Sequence, residues 1–119
     1  MNQVKYRTLI FYKNYFYDFF KRQNRKVREK IIWTFRIIET IEQIPSEYLS
    51  HMADTDSLYE IRIKQGSNIY RIFCFFEKEK EIVLINGFQK KSQKTPKSEI
   101  NKALKIKNEY NYEEEYKNT

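Results

Sequence analysis

The stretch "LYEIRIKQGSNIYRIFCFFEKEKEIVLINGF", from Leu58 to Phe88, decides the fold. Its first run alternates. Tyr59, Ile61 and Ile63 fall on one face and Glu60, Arg62 and Lys64 on the other, which is the period of a half-buried strand. "QGSN" carries turn chemistry. The run behind it, "IYRIFCFF", is apolar on both faces apart from Arg71, as a central strand must be. "EKEKE" then turns the chain into "IVLINGF". Connections this short and polar favour antiparallel hairpins, because a parallel crossover needs a dozen residues or more.

Upstream, "YRTLIFY" (Tyr6 to Tyr12) is short and β-rich and reads as a strand. In "NYFYDFFKRQ", Phe16, Phe19 and Phe20 take the i, i+3, i+4 spacing of a short helix with Asn14 as its N-cap. Asn24 is placed to cap a longer helix through about Gln43, with Val27, Ile31, Phe35, Ile38 and Ile41 in one stripe and Pro45 beyond the exit. "PSEYLSHMADTDS" has turn-forming residues and no clear period, so it reads as a loop. At the other end, Thr95 before Pro96 predicts an N-cap followed by proline at the first helical position. Ile100, Ala103, Leu104 and Lys107 share one side of that last helix. The expected order is β-α-α-β-β-β-α. This is an α+β domain in which a small antiparallel sheet packs against an N-terminal helical hairpin plus a C-terminal helix, the helices largely on one face.

At 119 residues, one third charged and 40% hydrophobic, the chain makes one globular domain with a single modest core. The net charge of +7 is unevenly placed. Residues 1–107 carry 22 Lys/Arg against 12 Asp/Glu, whereas "NEYNYEEEYKNT" carries one Lys against four Glu. We therefore expect a domain over residues 1–110 and a flexible acidic tail over 111–119. A basic body suits a polyanionic partner, nucleic acid first, although many basic proteins bind none. No run approaches the ~18 apolar residues of a membrane span. The start of the chain lacks a signal-peptide layout, since Lys13 and Asn14 break the apolar run, and a cytoplasmic location is expected.

The common catalytic sets are absent from the sequence. His51 is the only histidine, so neither a histidine-based triad nor a multi-histidine metal site can be built. Cys74 is the only cysteine and has apolar neighbours, which suits an inert core thiol. No cofactor or metal is expected. Arg71 in mid-strand is costly unless its guanidinium reaches water, an anion or a carboxylate such as Glu60. Arg62 on the preceding strand can project similarly. Behind Phe88, the string "NGFQKKSQKTPKSEI" places Lys90, Lys91, Lys94 and Lys97 within eight residues and ends at a helix start with Thr95. Clustered ammonium groups and a helix N-terminus favour anions, and Phe88 offers a ring on which a base can stack. Taken locally, the same lysines also read as a solvated charge run.

The succession "LYEIRI", "IYRIFCFF" and "IVLINGFQKKSQKTPKSEINKAL", with "FYKNYFYDFF" and "KVREKIIWTFRIIETIE" upstream, resembles the RelE/HigB-like toxins of type II toxin–antitoxin systems, and in particular the phage-derived HigB-like branch. The similarity covers most of the chain. It implies a RelE-like fold and a toxin that cleaves mRNA on the ribosome and so inhibits translation. It also implies a helix-turn-helix antitoxin of the HigA type as partner. By the same resemblance Arg71 matches the family's phosphate-stabilising arginine and Arg62 its partner on the preceding strand. Lys90, Lys91 and Lys94 fall in the basic segment that contributes active-site residues, while Phe88, Thr95 and Lys97 would contact RNA. The Tyr or His that other superfamily members carry near the C-terminal end is missing from "QKKSQKTPKS". That departure keeps open a ParE-type toxin that inhibits gyrase; a non-catalytic RNA- or protein-binding module is a further alternative.

Overall fold

The computed structural model describes residues 4–55, 57–91 and 94–118. In chain order the elements are β1 (Thr8–Phe11), α1 (Tyr15–Phe20), α2 (Arg25–Thr40), β2 (Leu49–His51), β3 (Tyr59–Gln65), β4 (Asn68–Lys78), β5 (Glu81–Lys90) and α3 (Lys97–Lys117). The fold is α+β, with three helices around a five-stranded mixed sheet of strand order β1-β5-β4-β3-β2.

The two hairpins form as expected, β3 antiparallel to β4 and β4 antiparallel to β5. The sheet is nevertheless not purely antiparallel. β1 pairs parallel with β5, Thr8 to Phe11 lying against Glu81 to Leu84. The intervening helices and strands supply the long connection that a parallel pair requires. Within the expected loop, Leu49–His51 forms a short edge strand against Tyr59–Ile61. Three residues are too few to show a period, so only the neighbouring strand reveals it.

A second departure concerns layers. Phe16, Phe19, Val27, Ile31, Phe35 and Ile38 of α1 and α2 pack on Ile61, Ile63, Tyr70, Ile72, Cys74, Ile82 and Leu84. The opposite face holds Phe73, Phe75, Val83 and Ile85 against Ala103, Ile106 and Tyr110 of α3. The helices therefore cover both faces of the sheet, not largely one. This is why β4 and β5 are apolar on both sides: each is sandwiched.

Local signals decide the helix ends. The Asn24 side chain accepts a hydrogen bond from the Val27 N–H, capping α2 as expected. Asn14 occupies the cap position of α1 but makes no side-chain cap bond. α2 stops at Thr40, before Gln43, because Ile41 turns extended. The Arg7 guanidinium then takes the carbonyls of Ile38, Ile41 and Glu42, which the helix end would otherwise leave unpaired. α3 begins one residue later than expected. Pro96 itself is the N-cap, its carbonyl accepting from the Glu99 and Ile100 N–H groups, and Thr95 makes no cap bond.

Gly87 lets α1 approach the sheet. A Cβ there would lie 2.7 Å from Cδ2 of Phe19, a ring that is itself buried. Gly87→Ala is expected to lower stability by about 1–3 kcal/mol through overpacking. A lowered urea midpoint with unchanged slope is the measurement that checks it.

α3 continues to Lys117, through the acidic stretch that composition marks as a tail. Its far half is bracketed to the β1–α1 turn. The Tyr110 ring sits edge-on to Tyr12 at 5.1 Å, the Lys13 ammonium lies 3.2 Å from Glu109 and 2.8 Å from Glu113, and Tyr15 donates to Glu109 at 2.7 Å. The hydrogen bond from Tyr15, and then that from Lys13, lower the Glu109 pKa, and the Lys13 hydrogen bond lowers that of Glu113. Depressed carboxylate pKa values contribute stability above the usual carboxylate range and lose it as pH falls through that range. The protection of amides over residues 111–117, relative to their intrinsic exchange rates at each pH, should therefore fall below about pH 4, and added salt should blunt the effect because these groups are open to solvent.

Candidate nucleic-acid interface

The register of the central strands brings the expected cations together. Arg62 on β3 lies directly opposite Arg71 on β4, and Arg71 directly opposite Phe88 on β5. Lys90 follows Phe88 by two residues and so shares its face, level with Ile69 next to Arg71. Arg62, Arg71, Phe88 and Lys90 thus occupy one patch on the α3 face of the sheet, across three adjacent strands. Sequence parity alone could not establish this, since a one-residue slip would send every side chain to the other face.

Glu60 completes the cluster. Its Oε1 pairs with Nη1 of Arg71, and the two side chains are only 13% and 12% exposed. Of the partners open to Arg71, the Glu60 carboxylate is the one the structure shows. The pair does not exhaust the donors. Arg71 Nε, Arg62 Nε and Glu60 Oε2 are all buried and unpartnered. A guanidinium has five N–H donors, so Arg71 and Arg62 keep capacity for further acceptors. Counting Lys90, three cations face one carboxylate.

Lys90 bears the electrostatic consequence. Burial lowers its pKa first, and the charges of Arg71 and Arg62 lower it further, against an opposing pull from Glu60. Phe88 is half-buried and stacks on Phe73 at 5.5 Å with 23° between the rings, so one of its faces is already covered. Lys91, Lys94 and Lys97 are exposed and Thr95 half-buried along the segment from β5 into α3. No hydrogen bond or ion pair ties Lys91, Thr95 or Lys97 to the arginine cluster among the described residues.

The remaining chemistry-bearing residues lie apart. His51 sits in β2, exposed and edge-on to Tyr59 at 5.1 Å. Cys74 is fully buried, and burial pushes its thiol pKa well above the usual range, which makes it inert. Asp56 lies outside the described residues. Among the described residues no three His, Cys, Asp or Glu side chains converge as metal ligands, and no helix is long and apolar enough to cross a membrane.

Two residues escaped sequence reasoning. Lys107 of α3 places its ammonium 5.5 Å from the Phe75 ring and donates to Ser57, adding a cation to the same face of the sheet. Its signal was a lysine on the apolar side of a helix. Asn86 is 2% exposed with both amide atoms unpartnered, at the irregular step in the β4–β5 pairing. A lone amide inside "IVLINGF" was the available hint.

Comparison with known proteins gives the family of the chain. Residues 18–108 match the family described as "Phage derived protein Gp49-like (DUF891)". A search of curated proteins finds no significant match. The match covers all of α2 and strands β2 to β5, the basic segment and parts of α1 and α3, and on that basis the chain belongs to the phage-derived Gp49-like family, within the RelE/HigB-like toxin group.

Proposed function

We propose that this protein is the toxin of a type II toxin–antitoxin system. In this reading it adopts a RelE-like fold, acts in the cytoplasm and cleaves mRNA on the ribosome. A helix-turn-helix antitoxin of the HigA type would neutralise it. The observation that carries the reading is the convergence of Arg62, Arg71 and Lys90 on one patch. Lys91, Lys94 and Lys97 lead into it from solvent.

Such a patch suits RNA cleavage through the ribose 2′-OH, which calls on no metal. The 2′-oxygen attacks the adjacent phosphorus, the P–O5′ bond breaks, and a 2′,3′-cyclic phosphate and a 5′-OH result. Negative charge builds on the non-bridging oxygens of the phosphorane. Arg71 and Arg62 present guanidinium donors to that charge, in a site largely withdrawn from water where each bond counts for more. An RNA phosphate brings to Arg71 the kind of partner that Glu60 supplies in the resting chain. Lys90, its pKa lowered, is the group suited to pass a proton to or from the reacting oxygens. Lys91, Lys94, Lys97 and Thr95 hold flanking phosphates, and that hold weakens with salt.

A ParE-type gyrase inhibitor is the competing reading. What favours it is the Glu60–Arg71 pair, which gives Arg71 a structural role without any RNA. Primer extension on translated mRNA after pulse induction separates the two. Codon-linked cuts are expected; intact toxicity with gyrase-dependent DNA damage and no cuts decides for the gyrase inhibitor.

A further inference from the structure

Between α1, α2 and the end of β1 lies an apolar groove of ≈ 380 Å³. Phe16 and Phe35 form its floor, their ring centroids 5.3 Å apart, and Phe11 stands over both. Phe11, Tyr17 and Ile32 at its rim are 55%, 57% and 47% exposed.

The charges around it are basic. Arg28 and Arg36 stand four residues to either side of Ile32 and so are its neighbours on the α2 surface. Neither has an acidic partner among the described residues. Lys13 lines the groove at its β1 end. On α1, Lys21 lies beside Tyr17 and is offset by Asp18.

The end of α3 has the complementary character. Tyr110 is its last buried residue, and beyond it Tyr112 and Tyr116 are 70% and 74% exposed on one flank at i, i+4 spacing. Glu113, Glu114 and Glu115 accompany them. Helical geometry sets this flank next to Glu109 and Glu113, which face Lys13. The acidic, tyrosine-bearing helix end and the basic, apolar groove therefore meet at Lys13 on one continuous surface.

We propose that the groove is the docking site for the α3 end of a second copy of this chain, the two copies exchanging the contact across a two-fold axis. A donor and an acceptor surface lying side by side is what an isologous dimer needs, because both contacts then close within a single interface. Tyr112 and Tyr116 of each copy cover the apolar rim of the other, and Glu115 faces the Arg28/Arg36 pair. The acidic segment, which the RNA chemistry leaves without a role, thereby acquires one.

Sedimentation velocity on the full chain across the micromolar range tests this independently of any cleavage assay. Wild type is expected to dimerise, and Ile32→Glu and Tyr112→Ala are each expected to weaken the dimer by about tenfold or more. Both positions are well exposed, so the variants should fold, which thermal melts verify; Ile32→Ser replaces Ile32→Glu if the latter does not fold. A wild-type chain that sediments as a monomer throughout overturns the proposal. So does a dimer indifferent to both substitutions, or a monomer that associates only with an acidic heterologous protein.

Discussion

On the proposed RNA-cleavage reading, Arg71→Lys is expected to leave the protein folded and to reduce mRNA cleavage by roughly 10²-fold or more. The fold should hold because an ammonium at position 71 can still pair with the Glu60 carboxylate. Cleavage should fall because a lysine offers one compact donor group where the planar guanidinium can engage Glu60 or water with one edge and two phosphoryl oxygens with the other. The substitution is more informative than Arg71→Ala, which strands the Glu60 carboxylate, only 13% exposed, and so mixes unfolding with loss of chemistry. Primer extension after pulse induction reads the cleavage and a thermal melt reads the fold. Undiminished codon-linked cutting by the lysine variant would remove Arg71 from the reaction. A lysine variant that unfolds would make the arginine structural.

Glu60→Ala is expected to have the largest effect on stability, about 3 kcal/mol, or a fall in Tm on the order of 10 °C. Arg62 and Arg71 are cross-strand neighbours, a like-charge pairing that is unfavourable in itself, and Lys90 adds a third positive charge. Among the described residues, Glu60 is the carboxylate paired within that group. Its removal leaves Arg71, 12% exposed, as a charge with neither water nor a counter-ion. Because the lost partner is an anion, added phosphate should recover more of the melting temperature in Glu60→Ala than in wild type. Equal responses of the two proteins to phosphate would show that the cluster takes no anion, and the RNA-cleavage reading would lose its support.

Much of the fold was legible along the chain. The alternation in "LYEIRIK", the two-sided apolar run "IYRIFCFF" and the polar turns between them predict the β3–β4–β5 meander, and Asn24 predicts the start of α2. What stayed hidden was long-range. β1 lies parallel to a strand some seventy residues away, a pairing that no local period encodes. The β2 segment Leu49–His51 is three residues long and becomes a strand only because β3 offers it an edge. The placement of α3 on the opposite face follows from which side of β4 and β5 the α1–α2 pair already fills.

The site divides in the same way. Arg71 stood out because a guanidinium within an apolar strand demands a partner. Arg62, Lys90 and Glu60 could be named as candidates, but their meeting depends on strand register, which the turn "QGSN" and the packing of both faces determine together. Lys107 meets Ser57 and Phe75 from distant parts of the chain, the Lys13–Glu109–Glu113 bracket joins its two ends, and neither had a local signal strong enough to pair them.

By itself, then, the sequence determined the composition of this protein's chemistry. It has a basic body and an acidic end, one histidine, one cysteine, and arginines and lysines in excess over acidic groups. It also determined the local elements, because hydrophobic period and turn residues act over distances of a few positions. Which cations share a face, that Glu60 holds Arg71, and that the acidic helix end lies beside an apolar groove emerged with the packed fold. The physical reason is that charge interactions of this kind depend on separations of a few ångströms between residues far apart in the chain. Those separations come into being only when both faces of the central strands are covered.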